Sequence, residues 1–149
     1  MAITNFAVEY ESSVAPEKMY QVLIADAPNH HPKILPQIIK SIDLQDGSII
    51  TTTYTDGSSL KIRVEYEDSE NLTCKHIFLH GAMIKEEHES FSTEWKFEPS
   101  SDRGLIIKIK GECVTKDGTT SDHAQDMEQF RLLCKLAEEY VLAHPDVCA

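Results

Sequence analysis

Leu60-Lys61-Ile62-Arg63-Val64-Glu65-Tyr66-Glu67 alternates apolar and charged side chains without a break. Successive side chains of a strand point to opposite faces, so this period of two places Leu60, Ile62, Val64 and Tyr66 on one face and Lys61, Arg63, Glu65 and Glu67 on the other. One face is wet and one is covered, the pattern of an antiparallel sheet. The same division recurs downstream, in Phe91, Thr93, Trp95 and Phe97 against Ser92, Glu94 and Lys96. It recurs again in Leu105, Ile107, Ile109, Gly111 and Cys113 against Lys108, Lys110 and Glu112. Upstream, Phe6, Val8 and Tyr10 stand against Ala7, Glu9 and Glu11. Between Ile38 and Val114 the turn signals fall at Asp46-Gly47, Asp56-Gly57, Asp68 to Asn71, Gly81 and the stretch from Pro99 to Gly104. The spacing predicts an antiparallel meander after the first strand.

A sheet with one apolar face needs a cover. Met127, Phe130, Cys134, Ala137 and Val141 recur at steps of three and four, with Leu133 and Tyr140 widening the stripe and Asp126, Gln129, Glu138 and Glu139 lying elsewhere. Thr119-Thr120-Ser121-Asp122 has the composition of a helix start and His144-Pro145 that of a stop, which predicts about twenty helical residues between them. Ser13 ahead of Pro16-Glu17 predicts a short capped helix carrying Met19, Tyr20, Leu23 and Ile24. From Ala27 to Gln37, Pro28, Pro32 and Pro36 restrict the chain to short helical turns. The expected class is α+β, a seven-stranded curved antiparallel sheet around a long C-terminal helix with two short helices. At 149 residues it is expected to be a single domain over 1–149.

Totals narrow the function. With 14 Lys and Arg against 25 Asp and Glu, the net charge is −11, and a nucleic-acid phosphate backbone would meet a repulsive average field. No run of about 18 apolar residues marks a membrane span, and no basic-then-apolar segment opens the chain. A cytoplasmic monomer is expected, engaging neither membrane nor nucleic acid. Cys74, Cys113, Cys134 and Cys148 show no paired spacing, so reduced thiols rather than disulfides are expected in that compartment.

Several local sequences now point the same way. Ala15-Pro16-Glu17-Lys18-Met19-Tyr20 and Pro32-Lys33-Ile34-Leu35-Pro36 lie in the two short helices; Thr115-Lys116-Asp117-Gly118 and Glu139-Tyr140-Val141-Leu142-Ala143-His144-Pro145-Asp146 flank the long one. On these segments and their order the chain resembles the plant pathogenesis-related class 10 proteins of the birch-pollen-allergen superfamily, relatives of the major latex proteins. The resemblance spans the whole chain and implies the helix-grip fold. It also implies a cavity for hormones, flavonoids, alkaloids or other hydrophobic plant metabolites, and a role in defence. One departure stands out. The family's glycine-rich loop is here Leu44-Gln45-Asp46-Gly47-Ser48-Ile49, a tight turn whose single glycine cannot converge several amides on an anion. That weakens any phosphate, nucleotide or ribonuclease role implied by the resemblance.

The expected ligand-binding residues are Leu23, His31, Ile39, Tyr54 and Ile62, then Cys74, His76, Phe78, Phe91, Thr93, Trp95 and Ile107 on the later strands, with Met127, Phe130 and Cys134 on the long helix. Alternation puts Leu72, Cys74, His76, Phe78 and His80 on one strand face. His76 is either a core histidine bonded to a neighbour or a polar group orienting a ligand; His80 falls near the turn at Gly81. His31 is expected near the cavity entrance, while His30 and His31 point apart and make poor joint metal ligands, so no metal site and no cofactor are expected. His88, among Lys85, Glu86, Glu87 and Glu89, reads as part of a solvated charged strand.

Catalytic candidates are His76 and the pair His123 and Asp126, three residues apart on adjacent turns. The alternative function they carry is a cyclase or isomerase of specialised metabolism. Asp126 has a second reading, as a charge favouring the helix N-terminus. Cys74 and His76 would stand roughly 6 to 7 Å apart along a strand, too far for a nucleophile and its base.

Overall fold

Every alternating stretch forms a strand. A computed structural model describes residues 2–101, 104–118 and 122–147. The elements run β1 (Ala2–Ser12), α1 (Pro16–Tyr20), a π-helical turn (Gln21–Ala25), α2 (Ala27–Ile34), β2 (Ile39–Gln45), β3 (Ile49–Tyr54), β4 (Ser59–Asp68), β5 (Thr73–His80), β6 (His88–Pro99), β7 (Leu105–Thr115) and α3 (Ala124–Ala143). Among the described residues the seven strands make one antiparallel sheet in the order β1-β7-β6-β5-β4-β3-β2, so β2 to β7 form the expected meander and β1 pairs with its last strand. The β2–β3 connection is the tight turn anticipated from its sequence, with Asp46 and Gly47 both at positive φ.

Directly opposed residues share a face, so the register fixes the inner rows. One row runs Val64, His76, Thr93, Gly111 and Phe6. The next runs Cys74, Trp95, Ile109 and Val8. A Cβ on Gly111 would stand 2.0 Å from two ring carbons of Phe6, so only glycine lets that ring lie over the sheet. There it meets Phe91, Phe130 and His123, with ring centroids 6.0, 6.1 and 4.8 Å away.

The helix α3, about 30 Å long at 1.5 Å per residue, buries Phe130, Cys134, Ala137 and Val141 as its stripe predicts. Each fully buried side chain of this kind contributes about 1.5 to 3 kcal/mol. Glu138, placed off that stripe by the sequence, instead accepts a hydrogen bond of 3.0 Å from the Tyr10 hydroxyl and ties the helix to β1. Burial and this carboxylate push the Tyr10 phenol up to about 12. The helix stops at His144, as expected, and starts after His123; Thr119, Thr120 and Ser121 lie outside the described residues.

Three other expectations are corrected. Ser13 does not cap α1: the preceding residue is Ala15, which makes no side-chain cap bond, and Pro16 opens the helix. His88 is buried, not solvated; its Nδ1 accepts the Lys85 amide at 3.1 Å and its ring lies 6.3 Å from Phe91. The alternation of β4 is broken between Val64 and Tyr66, where the register against β5 shifts by one residue. This bulge turns Tyr66 outward opposite Lys75 and brings Glu67 to the inner face opposite Cys74. Among the described residues no helix is long and apolar enough to cross a membrane.

Candidate functional site

Register and burial divide the inner face. Under β6, β7 and α3 the expected ligand-binding residues Phe91, Thr93, Trp95, Ile107, Phe130 and Cys134 are buried, and so are Leu23, Ile39, Cys74 and Phe78. Their rings interlock: Phe78 meets Phe91 edge-on at 5.0 Å and Trp95 meets Phe130 edge-on at 5.9 Å. The Trp95 indole N–H donates to Thr93 Oγ1 at 3.2 Å, which satisfies both buried polar groups. The other expected positions differ. His31, Tyr54, Ile62, His76 and Met127 are only half-buried, although all belong to inward rows or to helices over the sheet. Ile50, Leu60 and Val64, inward by their pairing with Ile62, Thr52 and His76, are half-buried as well. These three were not among the expected site residues, because alternation marks a face without marking what covers it.

The π-helical turn positions His31. Its amide of Asp26 bonds the Gln21 carbonyl at 2.7 Å, an i to i+5 closure that widens the helix, and α2 restarts at Ala27. From α2 the His31 Nε2–H donates to the Leu23 carbonyl at 2.9 Å. Burial, slightly offset by that bond, pulls its pKa down to about 4. Burial also pulls His76 down to about 4, and the nearby His31 ring adds to the effect. Both imidazoles are therefore neutral at pH 7. His76 Nε2 is fully enclosed and has no hydrogen-bond partner. A half-buried ring whose charged form is so strongly desolvated borders a recess, not bulk water.

Glu67, which the sequence placed outward, joins this face through the bulge, and burial raises its carboxyl. The bulge has no local sequence signal, since Glu65, Tyr66 and Glu67 continue the alternation. Tyr20, buried beneath, donates its hydroxyl to the Thr73 carbonyl at 3.0 Å.

The catalytic pair expected from spacing does form. His123 Nδ1 lies 3.1 Å from Asp126 Oδ2, and Nε2 lies 3.2 Å from Thr4 Oγ1. A hydroxyl, an imidazole and a carboxylate thus stand in line where α3 meets β1. A second such line joins α2 to α3, with His30 Nε2 2.9 Å from Asp26 Oδ2 and Nδ1 3.1 Å from the Tyr140 hydroxyl. His80 is exposed. Cys74, Cys113 and Cys134 are free thiols, while Cys148 lies outside the described residues. No group of three or more metal-ligating side chains comes together among the described residues. On the outer face a depression of about 150 Å³ is lined by Asn5, Lys75, Ser92, Glu94, Lys110, Gly111 and Glu112. Its Lys75 and Glu94 pair with one another at 3.7 Å.

Comparison with known proteins agrees with this arrangement. The model of the Pathogenesis-related protein Bet v 1 family matches residues 1–144. Pathogenesis-related protein STH-21 of Solanum tuberosum is 33% identical over 159 aligned residues, covering 100% of both chains. The crystal structure of Ara h 8.0201 superposes with a TM-score of 0.80 at 25% identity, over 96% of this chain and 100% of the other. Norcoclaurine synthase from Thalictrum flavum shares the fold, with a TM-score of 0.75 at 16% identity over 97% and 98% of the two chains.

Proposed function

Because the chain belongs to the Pathogenesis-related protein Bet v 1 family, whose helix-grip fold it has, we propose that it binds a small, largely apolar plant metabolite between β3, β4 and β5 and the helices above them. The observation that carries this reading is the row of half-buried apolar side chains Ile50, Leu60, Ile62 and Val64, next to two imidazoles that burial keeps neutral. Apolar walls with a few placed polar groups characterise small-molecule sites. Flavonoids, cytokinins and alkaloids match that chemistry, and the protein acts as a cytoplasmic monomer in defence. The test is titration with a neutral solvatochromic dye. Saturable binding at one site per chain, reversed by such metabolites, is the expected result; a protein that takes up no dye at any concentration overturns the proposal.

A second reading, a cyclase or isomerase on the same scaffold, is favoured by the line Thr4, His123 and Asp126. An imidazole oriented by a carboxylate can take a proton from a substrate and return it elsewhere. Here His123→Ala should abolish product formation while dye uptake persists. Candidate precursors left unchanged by the purified protein would remove this reading.

A further inference from the structure

The unpartnered Nε2 of His76 says more than that something binds. A buried polar atom without a partner costs about 1 to 3 kcal/mol, and folded proteins rarely leave one. His76 lies on the inner row between Val64 of β4 and Thr93 of β6, and its enclosed nitrogen has no protein group within hydrogen-bond distance. Thr93, its direct neighbour, already accepts from Trp95.

His31 restricts the chemistry further. A carbonyl can only accept, so the 2.9 Å bond to Leu23 places the proton of His31 on Nε2. The remaining Nδ1 then carries a lone pair and can only accept. His76 has no protein bond to fix its tautomer, so it can donate from Nε2 or accept there. Together the two rings offer one obligate acceptor and one group free to complement it.

No charge stands ready to balance a charged ligand. The groups that act on the two rings are burial, the Leu23 carbonyl and other imidazoles, with no carboxylate, lysine or arginine among them. A carboxylate or ammonium brought here would lose its hydration without gaining a counter-charge, at far greater cost than a neutral polar group.

We infer that the molecule held in this recess is uncharged and is anchored by a hydroxyl, phenolic or alcoholic, that donates to one of the two imidazoles and accepts from the other. A hydroxyl both donates and accepts, and so satisfies both rings; a ketone or ether satisfies His76 alone, and a hydrocarbon neither. This assignment rests on the ligand-binding reading above and deepens it by naming the polar group.

The test uses the full chain and a series on one apolar body: 2-naphthol, 2-methoxynaphthalene, naphthalene and 2-naphthoate, each competing with the neutral dye at pH 7. Naphthol is expected to bind about tenfold tighter than naphthalene, the increment of one buried neutral hydrogen bond. Methoxynaphthalene should fall between them, and naphthoate should bind more weakly than naphthalene. In His76→Leu the ratio of naphthol to naphthalene affinity should fall to about one. In His76→Gln, which keeps a donor and an acceptor, part of the preference should return. Equal affinities for naphthol and naphthalene in the native protein overturn the assignment while leaving a hydrophobic site in place. So does a preference for naphthoate, or a naphthol preference untouched in His76→Leu. Failure of every probe, dye included, removes the ligand-binding reading and this assignment with it.

Discussion

Across β1, β7 and β6 the inner face of the sheet is sealed, and Phe91, Ile107, Ile109 and Cys113 expose none of their surface. Across β3 and β4 the same face carries Ile50, Leu60, Ile62 and Val64, and each keeps part of its surface accessible. Both regions follow one alternating pattern and have similar side chains. What separates them is the cover. The helix α3 anchors on β1 through Tyr10 and Glu138 and drives Phe130 against Phe6 and Trp95. The far strands instead face His31 on α2, held short by its own prolines. One sheet thereby supplies a rigid floor and an unfinished wall, and stability and binding can be altered separately.

The sharpest way to break this contrast is to carve the sealed side. Phe91→Ala removes a ring packed against Phe6, Phe78 and His123 and should cost about 3 to 5 kcal/mol. A lower urea midpoint at unchanged slope would record it.

Next in size is a pH effect that belongs to the half-open side. His31 and His76 have folded pKa values near 4, below the 6.5 of an unfolded histidine. The unfolded chain therefore binds more protons between these limits, so stability is complete above pH 6.5 and falls as pH drops toward 4. Discounting for partial exposure, the loss should total about 3 kcal/mol. Urea midpoints across that range measure it, and His76→Leu should flatten the slope by about half. An unaltered slope would mean that His76 is more hydrated than its burial implies.

Ile62→Ala follows. A half-buried side chain yields only about 1 kcal/mol on truncation, so thermal unfolding should move little while dye affinity falls. The same substitution pair thus inverts across the sheet: Phe91 governs stability and Ile62 governs binding. His76→Leu should raise stability by up to about 1 kcal/mol, because it removes an unsatisfied buried nitrogen; calorimetry decides the sign. Least of all, Lys108→Gln breaks the 2.9 Å pair with Glu98 on the wet face and should leave the unfolding midpoint where it was.

Much of this architecture was legible from residue order. Alternation located the strands, and the stripe from Met127 to Val141 located the covering helix. His76 and His31 were also legible as inward imidazoles. Three features were not. The bulge after Val64 inverts Tyr66 and Glu67 without disturbing the alternating pattern, because a bulge is set by pairing with β5 and leaves no local signature. The burial of His88 depends on a turn that folds the Lys85 amide onto its ring. The contrast between sealed and half-open strands depends on where α3 comes to rest, a tertiary fact that no single strand encodes.

The three buried thiols have a consequence of their own. Cys74 lies on β5, Cys113 on β7 and Cys134 on α3, all without exposed surface. Burial raises the first well above the ordinary thiol range and the last to about 12. Alkylation proceeds through thiolate, so an added reagent reaches each sulfur only while its surroundings are parted. The molecule thus contains three stopwatches, on two strands and the helix that grips them. Their relative labelling times would report whether a guest enters by lifting the helix or by peeling back the edge of the sheet.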